Sequence, residues 1–548
     1  MKRLAFTVLI ALVGAGPALA QERGSGGEAP RNGRSEDGRV VTVSPYIEAS
    51  QLFVAELSPG DDVVTYTQLA AGVDASVQGR NNAGSVSVRY EYNIGYGDAL
   101  DSDTVSGVAR GYASIVPQAL TIEAGALAAR TRVDGNGGAT LNPLLGEESE
   151  SRVYSAYAGP TLATRAGDAD ISASYRIGYT RVESPDALVT ASGAEPVDLF
   201  DDSVVQVASA RIGTRPGEPL PVGVGVGAGW AQEDVSNLDQ RIRDIYVRGD
   251  VTVPVTHSLA VVGGIGYEDV EVSSRDALRD GAGVPVVGPD GRLVTDESQP
   301  RRIAYETDGL IWDVGVMWRP SRRTSLAATV GRRYDSTTYY GTFSYAPSSR
   351  SSVNVAVYDS ISGFGSVLTN ALANLPSSFT ANRNALTGDL SGCVASLEGN
   401  NCITGPLSSV RSAVFRSRGV AASYSRQVGR MSAGLGAGYD RRTFIAAPGT
   451  VLASANGVVD ESYSLAAYLS GQLGRNAGFT ANAYANWIES GFVGGGDVFA
   501  AGGSASYSRA IFDRLSARAA VALDYLDSDI SAQDLTAASA LVGLRYDF

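Results

Sequence analysis

Ser85-Val86-Ser87-Val88-Arg89-Tyr90-Glu91-Tyr92-Asn93-Ile94-Gly95-Tyr96 decides the fold. Val86, Val88, Tyr90, Tyr92, Ile94 and Tyr96 form one register, and Ser85, Ser87, Arg89, Glu91, Asn93 and Gly95 the other. A period of two is that of a β-strand, whose side chains point to alternate faces. The run is longer than the soluble-strand mode of ~5–6 residues and suits a tilted bilayer-crossing strand of ~9–11. The pattern returns in Ile171, Ala173, Tyr175, Ile177 and Tyr179. It returns again in Leu310, Trp312, Val314, Val316 and Trp318, and in Leu515, Ala517, Ala519, Val521, Leu523 and Tyr525.

The polar register carries full charges together with Gly, Ser and Ala. A soluble sandwich hides its apolar face, whereas a membrane barrel turns it to lipid and lines a lumen with the polar one. Closure leaves no unpaired edge in the hydrocarbon. The lumen candidates are Arg89, Glu91, Arg176, Arg248, Asp250, Asp313, Arg333, Arg518, Asp524 and Arg545. They fit either a solute-selecting pore or a wet mixed-charge wall held by cross-strand pairs. Arg is expected to destabilise at Val88 or Tyr175 and to be tolerated at Ser87 or Ser174. Trp230, Trp312, Trp318, Trp487 and Tyr179 fit interface girdles.

Short turns such as Gly167-Asp168, Thr256-His257 and Gly429-Arg430 alternate mostly with long loops at 134–148, 184–202, 274–307, 365–409, 446–461 and 490–497. The expected fold is all-β, a transmembrane antiparallel β-barrel of about 22 strands (20–24) over 40–548, without a plug domain. Its turns would be periplasmic and its long loops extracellular. The strands expected at 324–335 and 337–347 are closely linked.

Lys2, Arg3, an apolar run and Ala18-Leu19-Ala20 read as a secretory signal peptide over 1–20. Residues 21–39 are Gly-, Arg- and Glu-rich and are expected to form a disordered periplasmic tail. The expected destination is the outer membrane of a Gram-negative cell after Sec-type export, among its lipid and lipopolysaccharide. Phe548 follows Tyr546, Leu544 and Val542 on one face. This resembles the terminal-strand signature of outer-membrane barrels and implies recognition by the barrel assembly machinery.

Composition removes other classes. The 548 residues carry a net charge of −14, one His and two Cys, so no nucleic-acid footprint and no multi-His metal site is expected. His257 reads as a solvated turn residue, which removes a His-dependent protease or lipase. Cys393 and Cys402 lie close together in the longest loop, and an oxidising compartment favours a disulfide between them. Gly223-Val224-Gly225-Val226-Gly227-Ala228-Gly229 lacks the Lys-Ser/Thr of a phosphate loop and reads as a strand with one thinned face. The acidic stretch 290–297 does not have EF-hand spacing. No cofactor and no enzymatic activity is expected.

Trp318-Arg319-Pro320-Ser321-Arg322-Arg323-Thr324-Ser325-Leu326, followed by Val330-Gly331-Arg332-Arg333-Tyr334, resembles the strand–turn–strand unit of an uncharacterised outer-membrane β-barrel family associated with exopolysaccharide and PEP-CTERM loci. Proteins of this kind also carry a Sec translocase accessory-subunit label. That subunit is a short one-helix inner-membrane protein, and nothing after Ala20 fits such a helix. The resemblance implies a conduit or surface component in polysaccharide export or envelope assembly. The alternative is a porin-like channel for small solutes. TonB-dependent transport is disfavoured, because only 21–39 precedes the first strand.

Overall fold

The computed structural model describes residues 39–97, 101–133, 150–183, 200–289, 292–396, 410–492, 496–529 and 534–548, with short pieces at 33–34, 139–140, 403 and 407. One sheet of 24 strands closes on itself. Two of these, Gly33–Arg34 and Ala139–Thr140, are two-residue additions at its ends. The other 22, from Val40–Ser58 to Leu535–Asp547, form the wall, each antiparallel to the next. The ring shuts where Tyr46 pairs Asp547 and Leu52 pairs Leu541. Thr324–Arg333 and Ser336–Ser348 are separate strands, as expected.

Burial inverts as the sequence demanded. Along Asn82–Tyr96, Ser85, Ser87, Arg89, Glu91 and Asn93 are buried, while Val86, Val88, Tyr90 and Tyr92 are exposed. Leu310, Trp312 and Val314 also face outward, as do Val542, Leu544 and Phe548. Near the loop-bearing end Tyr439, Tyr463 and Trp487 stand on adjacent strands with centroids 5.1 and 5.9 Å apart, a girdle at the lipid–water boundary.

The wall also shows where the excess glycine goes. Six inward tyrosines each sit directly opposite a glycine: Tyr46 opposite Gly72, Tyr157 opposite Gly125, Tyr246 opposite Gly229, Tyr358 opposite Gly419, Tyr468 opposite Gly434, and Tyr484 opposite Gly502. A Cβ on Gly72 or Gly229 would lie 2.3 Å from the tyrosine ring. The ring lies flat across the neighbouring strand only because that strand has no side chain there. The run Gly223 to Gly229 belongs to the strand Gly223–Val235, which bears out the thinned-face reading.

Both ends of the 22-stranded wall, Val40 and Asp547, lie at the rim of short turns. His257 is exposed in one of them. The long connections share the opposite rim, where they knit together. Leu238, Ala277, Leu293, Phe415, Phe444 and Leu452 pack in one apolar cluster. Arg292 donates to the carbonyls of Val182 and Phe200 at 3.2 Å each, across the mouth. The strand Arg302–Ser321 begins five residues before the expected end of the 274–307 loop, because Ile303 to Thr307 still pair with the strand Leu259–Ser274. Asp290 lies outside the described residues.

Candidate functional site

The site is the lumen, and it is occupied. The longest connection turns inward: its described part, 363–396 and 410–414, fills the lumen from the loop-bearing end and, at Ser377 to Phe379, reaches Ser85 and Gln78 beside the short turn 79–81. It carries a helix, α1 (Phe364–Asn374), and a hairpin of Thr380–Arg383 and Leu390–Ala395.

The helix is amphipathic. Phe364, Leu368 and Leu372 recur at i, i+4 and i+8 and are fully buried. They meet Val108, Leu127, Val153, Val182 and Val235, inward residues of five wall strands. Phe364 meets Phe200 edge-on at 5.0 Å. The wall also caps the helix. Glu233 accepts from the amides of Gly363 and Ser366 at 2.9 and 3.3 Å and from Ser203 Oγ at 3.1 Å. A carboxylate here satisfies orphan N–H groups and meets the positive end of the helix dipole. Thr369 lies against Gly178, where a Cβ would come within 2.6 Å.

The hairpin crosses to the other side. Arg383 donates to Ser106 Oγ at 2.7 Å and to Ser87 Oγ at 3.0 Å. Burial pulls its guanidinium below the ordinary arginine range. Gln68 Nε2 donates to the Leu386 carbonyl at 3.1 Å, and Arg130 holds Asp389. Asn482, across the barrel, donates to the Arg383 carbonyl at 3.0 Å. Leu386 packs there with Leu52, Ile488, Val498 and Leu541. The insert therefore spans the lumen from wall to wall. Gly388 at the hairpin turn has φ +69°, and a Cβ on it would lie 2.3 Å from Arg89 Nε and 2.7 Å from Glu91 Oε2. Glycine suits that turn both for its left-handed backbone and for its closeness to the charged wall.

All ten lumen candidates belong to the inner wall, and eight of them form ion pairs there. Glu48 joins Arg89 with Arg518 at 3.5 Å and Arg545 at 3.3 Å. Glu91 accepts from Arg89 at 3.0 Å and from Gln68 at 2.7 Å. Arg248 forks onto Asp313 at 2.6 and 2.7 Å and reaches Asp250 at 3.2 Å. Arg333 bridges Asp244 and Glu268 at 2.7 and 2.8 Å. Arg176 donates to Asn370 of the helix at 2.5 Å, and Asp524 accepts from Tyr484 at 3.1 Å. These contacts bring the cross-strand-pair reading onto firm geometry.

In the sector of the strand Ala169–Glu183 the lumen is open toward the turn-bearing rim. Along Ala169–Glu183 the inward residues change from exposed Ser172 to buried Gly178 and Thr180. A polar recess of about 290 Å³ lies among Ser172, Ser209, Arg211, Tyr246, Arg248 and Asp250. Ser87 requires a correction. It lies in the occupied sector under Arg383, so an Arg there has no room; Ser174 faces Ser209 at 2.8 Å in the open sector, where the earlier expectation stands.

Sequence reasoning missed Glu233, Arg130, Arg383, Gly388 and Asp389. One signal was present. Leu127, Val153, Val182 and Val235 are apolar in a register that elsewhere is polar or small, which means something apolar must cover them from inside. Cys402 and the side chain of Cys393 lie outside the described residues, and so does the expected disulfide. The signal peptide and tail lie outside them as well, apart from the backbone of Gly33–Arg34 and residue Arg39.

No family model and no curated protein matches the chain. Solved structures do. The FrpB iron transporter from Neisseria meningitidis (F5-1 variant) shares 11% identity at a TM-score of 0.42, over 92% of this chain and 82% of that one. The closed form of the ferric-catecholate import receptor Fiu from E. coli K12 shares 11% identity at a TM-score of 0.45, over 95% and 82%. The copper transporter OprC shares 11% at a TM-score of 0.37, over 92% and 81%.

Proposed function

We propose that this outer-membrane barrel is a gated conduit for small polar solutes, with the helix and hairpin of 363–396 as its gate. One observation carries the reading: a single chain segment fills a charge-lined lumen from wall to wall, leaving a polar recess toward the turn-bearing rim only in the sector of Ser172, Ser209 and Arg211. The hydrogen-bond ladders of the 22-stranded wall close without the insert, so the segment can move without unfolding the barrel. The inner wall mixes both signs in shared ion-pair clusters, which suits polar solutes of either sign rather than one ion class.

The resemblance around Trp318 to Tyr334 favours a place in exopolysaccharide export or envelope assembly. Loss of surface polysaccharide in a deletion strain, restored by the gene in trans, supports that context. Unchanged polysaccharide removes it and leaves the conduit reading intact. An always-open porin is the other reading. Liposome swelling with neutral sugars of increasing size separates the two: a gated conduit gives slow swelling that rises when the Arg130–Asp389 anchor is broken, and an open porin gives fast swelling in both. Slow swelling unaffected by breaking the anchors defeats the gate.

A further inference from the structure

Five consecutive turns of the periplasmic rim, between Arg302–Ser321 and Leu515–Ser528, are unusually basic. The first brings Arg319, Arg322 and Arg323, and the second brings Arg350. The third has Arg426 and Arg430 at its two ends, the fourth has Arg475, and the fifth has Arg509 and Arg514. All nine are exposed. The same turns contain one carboxylate, Asp513. None of the nine forms an ion pair among the described residues; Arg323 and Arg430 donate only to the carbonyls of Pro347 and Gly474, at 3.1 and 3.0 Å.

Elsewhere on that rim Arg80 stands singly in its turn, outside the arc. Arg165 pairs with Glu218, and Arg215 pairs with Asp170 at 2.6 Å. The whole chain carries −14, so nine unneutralised cations in one arc run against its balance. Exposed and unpaired, these guanidinium groups are available to an external anion.

The depth of the arc identifies that anion. Trp318, Tyr345, Tyr424, Tyr507 and Phe512 are exposed on the same sector at the ends of the strands. Aromatic belts of this kind lie at headgroup level. Arg426 and Arg509 share the outward register with Tyr424 and Tyr507, two residues away on the same strands. Their guanidinium groups are thus at the height of lipid phosphates. Guanidinium forks onto phosphate oxygens with two hydrogen bonds.

We propose that this arc is a binding surface for the anionic phospholipid headgroups of the inner leaflet. It depends on the barrel crossing the membrane and not on the gate. Each such cation near a membrane surface is worth about fivefold in partition. Several acting together bias the local lipid strongly toward the anionic species and anchor one side of the barrel.

The test uses full-length folded protein in neutral detergent mixed with equal amounts of phosphatidylethanolamine and phosphatidylglycerol, with the retained lipids counted by native mass spectrometry. Wild type is expected to retain phosphatidylglycerol over phosphatidylethanolamine by at least about fivefold. Raising salt from ~50 to ~500 mM is expected to collapse that ratio, since the Debye length shrinks severalfold. A variant with Arg426→Gln, Arg430→Gln, Arg475→Gln, Arg509→Gln and Arg514→Gln is expected to fall to the bulk ratio, whereas Arg80→Gln keeps it. A bulk ratio in wild type overturns the proposal, and so does an unchanged ratio in the five-fold variant once heat-modifiability confirms folding. Should the variant not fold, the salt series on wild type decides alone. Crosslinking of the arc to an acidic envelope protein, with the lipid ratio at bulk, also overturns it.

Discussion

Arg130 on the wall and Asp389 on the insert form a two-pronged ion pair, Nε to Oδ1 at 3.0 Å and Nη2 to Oδ2 at 2.7 Å, across 259 residues of chain. Both side chains are almost wholly buried, at 6% and 4% exposure. Removing one partner leaves a buried unmatched charge, which typically costs ~3–5 kcal/mol, while removing both costs far less than the sum. Arg130→Ala and Asp389→Ala are each expected to free the hairpin, and the double substitution to resemble either single one. Urea unfolding in bilayers together with limited proteolysis of 376–396 measures this. Additive effects would mean that the two groups are not coupled.

The wall register gives a second expectation. Arg at Val88 or Tyr175 is expected to cost ~2–4 kcal/mol if those sites lie near the bilayer midplane. Ser174→Arg has open lumen before it and is expected to fold normally. Ser87→Arg displaces Arg383 and is expected to loosen the insert while the barrel still forms. Heat-modifiable migration reports the barrel, and protease nicking reports the insert. A folded, uncut Ser87→Arg protein would place the hairpin elsewhere.

The tyrosine–glycine pairs give a third. Gly434→Val drives two methyls into the Tyr468 ring, whose nearest atom is already 2.2 Å from an added Cβ. Overpacking of this kind costs ~1–3 kcal/mol. Gly263→Val meets open space and is expected to be neutral or slightly stabilising. Equal effects at the two sites would remove the ring-over-glycine explanation.

Much of this fold was legible because a barrel wall obeys one rule repeated many times. The alternation of Ser85 to Tyr96 and the turn spacing set both the strand number and the inside–outside sense. The insert was less legible, because its contacts are non-local. Asp389 gains meaning only once Arg130 is beside it, and Glu233 reads as an ordinary lumen carboxylate until a helix N-terminus arrives. Gly388 is one glycine among 65, and only the position of Arg89 sets it apart. Loop length pointed to 365–409, but nothing in a loop of that composition states whether it folds outward or inward.

The cysteines bear on the insert. The backbone of Cys393 lies in the hairpin strand Leu390–Ala395. A disulfide to Cys402 would close a short loop of chain from that strand and restrict its travel. Cys393→Ser with Cys402→Ser is expected to leave the barrel folded and to increase nicking of 397–409. Thiol labelling of denatured protein only after reduction is the expected result, and full labelling without reductant refutes the staple.

Planar-bilayer conductance of the purified protein tests the gate most directly, comparing wild type with a variant in which 376–396 is replaced by a short Gly-Ser linker. Wild type is expected to be silent or to open rarely, and the variant to give large, stable currents at the same folded yield. Large stable currents from wild type, or silence from a folded variant, would contradict the assignment of 363–396 as the gate.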